Sequence, residues 1–133
     1  MKNEFISYEE ALALKELGFD EECLAFYLFE DINHLMINDE DDMYYDSSSI
    51  NLTLAPLYQQ AFRWFREKYN LHHSISILQR SCRYHFKIRT IECESDLKPF
   101  GDNKIIFEDG PRKKYEDIEL ECLKKLIEIV KNN

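Results

Sequence analysis

Apolar residues recur every three or four positions in three segments of the chain, which is the spacing of one face of a helix. Ser7 and Glu10, at the start of the first of these segments, have the spacing of a capping box, and Gly18 after the segment is suited to the position that follows a helix. The pattern predicts three helices, at about residues 8–17, 56–70 and 115–131.

Between these helices the sequence has the character of strands. A short apolar run at residues 24–29 predicts a buried strand, and residues 35–37 predict a weaker one. Alternation at 74–77 and 83–89, and the segment 104–108 before the turn residues Asp109, Gly110 and Pro111, predict three more. The predicted order is α-β-β-α-β-β-β-α. It indicates an α+β fold with helices packed on one antiparallel sheet of about four to five strands.

Chain length and composition favour one domain. With 133 residues, of which 44% are hydrophobic, the chain has the usual size of a single domain, and we assign residues 1–133 to it. Residues 38–49 are rich in aspartate and serine and exceed the length of an ordinary connection. We expect this acidic segment to be a mobile loop.

Charge is distributed unevenly along the chain. Residues 1–56 carry two lysines against fourteen acidic residues, a net charge of −12. Residues 57–91 carry seven basic residues against one glutamate, a net charge of +6, and the remainder brings the total to −9. Overall acidity disfavours a nucleic acid or a membrane surface as the partner of the whole chain, but a local basic block can still bind anions.

The basic block has internal order. Alternate side chains of a strand point to opposite faces, so Tyr84, Phe86 and Ile88 would share the face that packs on helices. The opposite face would be basic and open to a partner. The candidate binding residues are those of this face, extended by neighbours and by the second helix: Arg80, Arg83, His85, Lys87, Arg89, Arg63, Arg66 and Trp64.

The sequence contains no recognisable catalytic or metal-binding motif. Its three glycines do not form the glycine-rich loop that binds phosphate. The spacing of its histidines and four cysteines matches no standard zinc site. We therefore predict no cofactor, no metal and no catalytic residue, while an enzyme with an unfamiliar site remains an alternative. The N-terminus has no apolar region typical of a signal peptide, and no apolar run is long enough to span a bilayer, so we expect a cytoplasmic location in a host cell.

Two helical segments carry a family resemblance. Residues 55–69 and 115–129 resemble motifs of small uncharacterised proteins encoded by bacteriophages and prophages of gut bacteria, and residues 11–19 are similar to their opening segment. Asn70 stands where a glycine is more familiar in that family. The resemblance implies an origin in a mobile element and an accessory role, with no activity, cofactor or catalytic residue attached.

Three interpretations of the basic block remain open. The acidic N-terminal third neutralises it internally, or it binds an acidic protein partner, or it holds nucleic acid with help from an aromatic ring such as Trp64 or Tyr69. A boundary position at the edge of the core is the alternative for Trp64. As the functional prediction we take a non-catalytic phage or prophage accessory protein that binds a protein partner. Nucleic-acid binding by the face 83–89 is the alternative.

Overall fold

The computed structural model describes residues 4–28, 35–37, 52–92 and 102–132. The acidic segment 38–49, predicted to be a mobile loop, lies outside these residues. The described parts contain the helices α1 (Tyr8–Glu16), α2 (Tyr58–Tyr69) and α3 (Tyr115–Lys131). They also contain the strands β1 (Ala25–Leu28), β2 (Leu35–Ile37), β3 (Leu52–Ala55), β4 (His72–Leu78), β5 (Arg83–Glu92) and β6 (Asp102–Arg112).

The chain divides into two compact units, Met1–Ala61 and Phe62–Asn133. In the first unit the strands form an antiparallel sheet in the order β2-β1-β3, and α1 packs against β3. Ala11 and Leu14 of α1 are buried, and the phenol of Tyr27 donates a hydrogen bond to the carbonyl of Ile6 at 2.9 Å. The spacing of apolar residues in α1 therefore predicts the face that the helix buries.

The second unit places α3 on one face of a second antiparallel sheet, in the order β4-β5-β6. Phe86 and Ile88 of the central strand β5 are fully buried. Phe107 of β6 lies beside Phe86, with ring centroids 5.8 Å apart, and the Lys125 ammonium of α3 lies 4.2 Å from the Phe107 centroid. The buried residues of α3 that complete this core are Ile118, Cys122, Leu123, Leu126 and Ile127.

The α+β class and the three helices agree with the sequence, but the arrangement of strands differs. The described strands form two three-stranded sheets, where one sheet of four to five strands was predicted. The predicted order omitted β3. This strand has only four residues, it ends directly before Pro56, and its residues are mostly buried on both faces, so it shows no alternation.

Two local predictions at α1 have opposite outcomes. Gly18 has φ of +95°, which confirms its predicted place after the helix. The capping box is wrong at its first residue, since Ser7 makes no side-chain hydrogen bond at the start of the helix.

Strand β6 continues through the residues that were predicted to end it. Its register with β5 shifts between Tyr84 and Phe86, where Gly110 and Pro111 together lie opposite His85. This is a β-bulge, in which two residues on one strand oppose one residue on the other. A bulge accommodates the same glycine and proline that favour a turn, so the turn prediction at this position is wrong for a physical reason.

Gly110 lies so close to β5 that a side chain does not fit. A Cβ at this position would lie 2.6 Å from the Cβ of His85, and the glycine has φ of +155°. We expect Gly110→Ala to lower the free energy of unfolding by about 1–3 kcal/mol, because it adds a steric overlap to an unfavourable backbone conformation. Chemical denaturation measures this loss.

The matched control is Gly18→Ala, which also places alanine at positive φ, directly after α1. We expect it to cost less than Gly110→Ala. Equal losses in the two variants would mean that the contact with His85 relaxes without cost and that only backbone conformation matters.

Candidate functional site

Strand β5 presents a basic face on the side of the sheet opposite the buried Phe86 and Ile88. Alternation along the strand places Arg83, His85, Lys87 and Arg89 together on this side, and all four are half-buried. We call this side of the β4-β5-β6 sheet the basic face. Its four central residues are those that the sequence pattern grouped.

The neighbouring strand β4 contributes two short, neutral side chains to the middle of the basic face. Directly paired residues of adjacent strands share a face, and the register pairs Ser74 with Lys87 and Ser76 with His85. On the other side of Lys87, β6 contributes Glu108. Both serines have short side chains, so the parts of β4 directly beside Lys87 and His85 carry little side-chain bulk.

The charges on the basic face are only partly paired. The Lys87 ammonium lies 3.7 Å from a carboxylate oxygen of Glu108. Arg89 lies between His72 of β4 and Ile105 of β6, and Arg83 lies opposite Leu78. Among the described residues, no carboxylate forms an ion pair with either arginine. Two guanidinium groups on this face are therefore without a local counter-charge in the described part of the chain.

Two polar atoms of the basic face are buried without a hydrogen-bond partner among the described residues. They are Nδ1 of His85 and Nε of Arg89. Buried polar atoms are normally paired, since leaving one unpaired costs about 1–3 kcal/mol.

One end of this sheet carries further cations that the sequence pattern alone does not group with the basic face. Arg80 is exposed in the turn 79–82 between β4 and β5. Arg112 of β6 pairs with Tyr84 of β5. The Tyr84 ring meets the Tyr115 ring edge-on, with centroids 5.5 Å apart, so the start of α3 lies at the same end of the sheet. The additional cations are Arg112, Lys113 and Lys114. Their proximity depends on strand pairing, which linear spacing does not reveal.

The candidates on α2 lie apart from the basic face. Arg63 and Arg66 are exposed, and the charge of Arg66 acts on His73, which pairs with Ile88 and so belongs to the helix-covered face. Trp64 is only 5% exposed, with its ring edge-on to Phe65 at 5.1 Å. We therefore leave Trp64 out of the proposed binding surface.

His73, in the second unit, is a histidine whose pKa is shifted strongly by its surroundings. Its ring stacks on Phe62 with centroids 3.8 Å apart. Burial, together with the nearby charges of Arg66 and His72, lowers the pKa of His73 from 6.5 to about 4. The side chain is therefore neutral at physiological pH and packs on Phe62 as a half-buried aromatic ring.

The described residues offer little that suits catalysis or metal binding. They contain no group of three or more histidine, cysteine or acidic side chains able to hold a metal ion. A cavity of about 90 Å³ in the first unit has room for a few water molecules, and the Lys15 ammonium at its wall donates to the carbonyl of Leu52 at 2.9 Å. Burial raises the pKa of the Cys23 and Cys122 thiols to about 12, which disfavours the reactive thiolate.

Comparison of the chain with protein families, with curated proteins and with solved structures finds no match. None of the helices in the described ranges is long and apolar enough to cross a membrane. The chemistry of the basic face is therefore the feature from which a function can be inferred.

Proposed function

We propose that this chain is a non-catalytic accessory protein of a phage or prophage that binds an acidic protein partner through the basic face. The observation that carries the proposal is the pair of arginines, Arg83 and Arg89, which lie on the central strand and form no ion pair with a carboxylate among the described residues. The guanidinium group presents a planar set of donors that fits a carboxylate with two parallel hydrogen bonds.

The construction of the second unit supports this proposal. The opposite side of β5 is occupied by the core, with Phe86 only 1% exposed, so the strand is held rigidly while its basic side remains half-exposed. Side chains anchored on a packed strand lose less conformational freedom on binding than side chains on a loop. A preorganised row of cations favours a partner with carboxylates in a matching row.

Charge reversal of the two arginines tests the proposal. We expect Arg83→Glu combined with Arg89→Glu to reduce capture of a partner from a gut-bacterial lysate at least about tenfold, because attractive pairs become repulsive ones. Affinity capture with the tagged protein, followed by quantification of each bound protein, measures the change. Circular dichroism and a thermal melt establish that the variant is folded.

The matched control reverses two exposed lysines away from the basic face, Lys104 and Lys124, with the same change in net charge. Lys104 pairs with Thr90 and so belongs to the helix-covered side of the sheet. We expect this control to retain capture. If both double variants lose the partner equally, net charge and not the basic face is responsible, and the surface assignment is wrong.

Nucleic-acid binding is the second candidate, and the exposed cations Arg80, Lys113 and Lys114 at the sheet end are the observation that favours it. Titration of single- and double-stranded oligonucleotides at low and moderate salt distinguishes it from the first. Binding that weakens steeply with salt and is lost in the arginine double variant would replace the protein-partner proposal. No binding at low ionic strength would eliminate nucleic acid.

A further inference from the structure

The sheet that carries the basic face has two edge strands, and they differ in how accessible their backbone is to pairing. Strand β6 has two shifts of register with β5 and contains Pro111. Bulges and prolines are features that protect an edge against further strands. Strand β4 pairs with β5 in unbroken register from His72 to Leu78 and contains no proline. Among the described strands, none pairs with its outer edge.

The second half of β4 is exposed and apolar. Ser76, Ile77 and Leu78 are exposed, with Ile77 60% accessible to solvent. Isoleucine favours the extended conformation of a strand, and a large exposed aliphatic side chain gains free energy when it is covered. An exposed, regular and partly apolar edge strand is the feature to which extended peptides add.

The two faces beside this edge differ in chemistry. On the basic face, Ser74 and Ser76 lie between the edge and the side chains of Lys87 and His85. On the other face, Ile77 pairs with Tyr84. A strand added to β4 would lie about 4.8 Å from it, with the short side chain of Ser74 between that strand and Lys87.

We propose that the outer edge of β4, from Ser74 to Leu78, receives an extended segment of the protein partner as a fourth strand of this sheet. Acidic residues at alternate positions of that segment face Lys87 and the arginines of the basic face. The intervening apolar residues cover Ile77 on the other side. This inference rests on the proposed function and specifies the partner as an extended segment in which acidic and apolar residues alternate.

The proposal combines two sources of affinity that a simple charged surface lacks. Backbone hydrogen bonds to β4 provide binding that is independent of side-chain charge, and alternation sets which side chains meet each face. A segment shifted by one residue would place its carboxylates against Ile77 and its apolar residues against the cations. The order of acidic and apolar residues in the partner segment, as well as its composition, therefore determines binding.

A short capped peptide in which glutamate and valine alternate is the probe, and a peptide of the same composition with the glutamates grouped together is its control. We expect the alternating peptide to bind at least about tenfold more tightly, measured by calorimetry, and to slow amide hydrogen exchange within Ser74–Leu78. Ile77→Lys is expected to weaken binding of the alternating peptide, because it places a charge where the valines pack.

N-methylation of the peptide backbone makes the test specific for strand addition. Two versions are compared, methylated at every glutamate or at every valine. In an added strand only one of these sets of N–H groups points towards β4, so one version is expected to lose binding and the other to retain it. If only the side chains of the peptide dock on the protein, the two methylated versions are expected to bind alike.

The outcomes separate the two proposals. Equal binding of the alternating, grouped and methylated peptides, lost in the Arg83→Glu/Arg89→Glu variant, would overturn strand addition and leave the acidic-partner proposal standing. Binding by none of the peptides at concentrations up to about 1 mM would overturn both. Binding of oligonucleotides in place of peptides would also overturn both proposals and would favour nucleic-acid binding.

Discussion

Replacing Phe86 with alanine is expected to lower the free energy of unfolding by about 3–5 kcal/mol, which is the usual cost of removing a buried phenylalanine ring. Phe86 is 1% exposed at the centre of β5, and its ring lies beside that of Phe107. Removal leaves a cavity between the sheet and α3 that rigid neighbours cannot fill. Urea denaturation followed by circular dichroism measures the loss.

Ile77→Ala is the control for this substitution because Ile77 is on β4 of the same sheet and is largely exposed. We expect it to change the free energy of unfolding by less than about 1 kcal/mol. A loss at Phe86 no larger than the loss at Ile77 would contradict the placement of α3 over this face. Since small domains have a total stability of about 5–15 kcal/mol, the Phe86 variant is expected to be close to unfolding at room temperature.

The second large effect is a loss of stability in weak acid that originates from His73. Its pKa in the folded chain is about 4, against an ordinary value of 6.5. Above pH 6.5 the side chain is neutral in both the folded and the unfolded state, and its full contribution is present. Between pH 6.5 and pH 4 the unfolded chain binds a proton that the folded chain does not, so stability falls by up to about 3 kcal/mol and then levels off.

Comparison of two variants isolates this effect from the titration of carboxylates. His73→Phe keeps an aromatic ring against Phe62 and is expected to remove about 3 kcal/mol of the difference in stability between pH 7 and pH 4. His72→Gln, which changes the adjacent histidine, is expected to retain most of the difference. Denaturant titrations at several pH values measure both. An unchanged pH dependence in His73→Phe would mean that His73 is accessible to protons in the folded state.

The elements that the sequence predicted well are those with a long, uninterrupted period. Helix α3 has seventeen residues with a buried stripe from Ile118 to Ile127, and its predicted and observed bounds coincide at Tyr115 and Lys131. Strand β5 alternates regularly, so the sequence predicted which side packs on a helix and which carries Arg83 and Arg89. In both cases the local pattern and the tertiary packing impose the same period, and one window of sequence contains the information.

The features that the sequence did not predict depend on pairing between distant segments. The division of the strands into two sheets is set by which edges meet, and β3 is too short to show a period. The bulge at Gly110 and Pro111 uses turn residues inside a strand. Arg112 joins the end of the sheet near Arg80 and Arg83 only because that bulge sets the register of the last residues of β6.

The ion pair between Lys87 and Glu108 has a consequence for how the basic face distinguishes partners. Glu108 is already a carboxylate within 3.7 Å of the lysine, so an incoming acidic group must compete with it at this position. Exchanging one half-exposed carboxylate for another changes the free energy little. Lys87 therefore contributes less to affinity than to discrimination against weakly acidic or badly spaced ligands. Glu108 is an intramolecular competitor of such ligands on the surface that it helps to form.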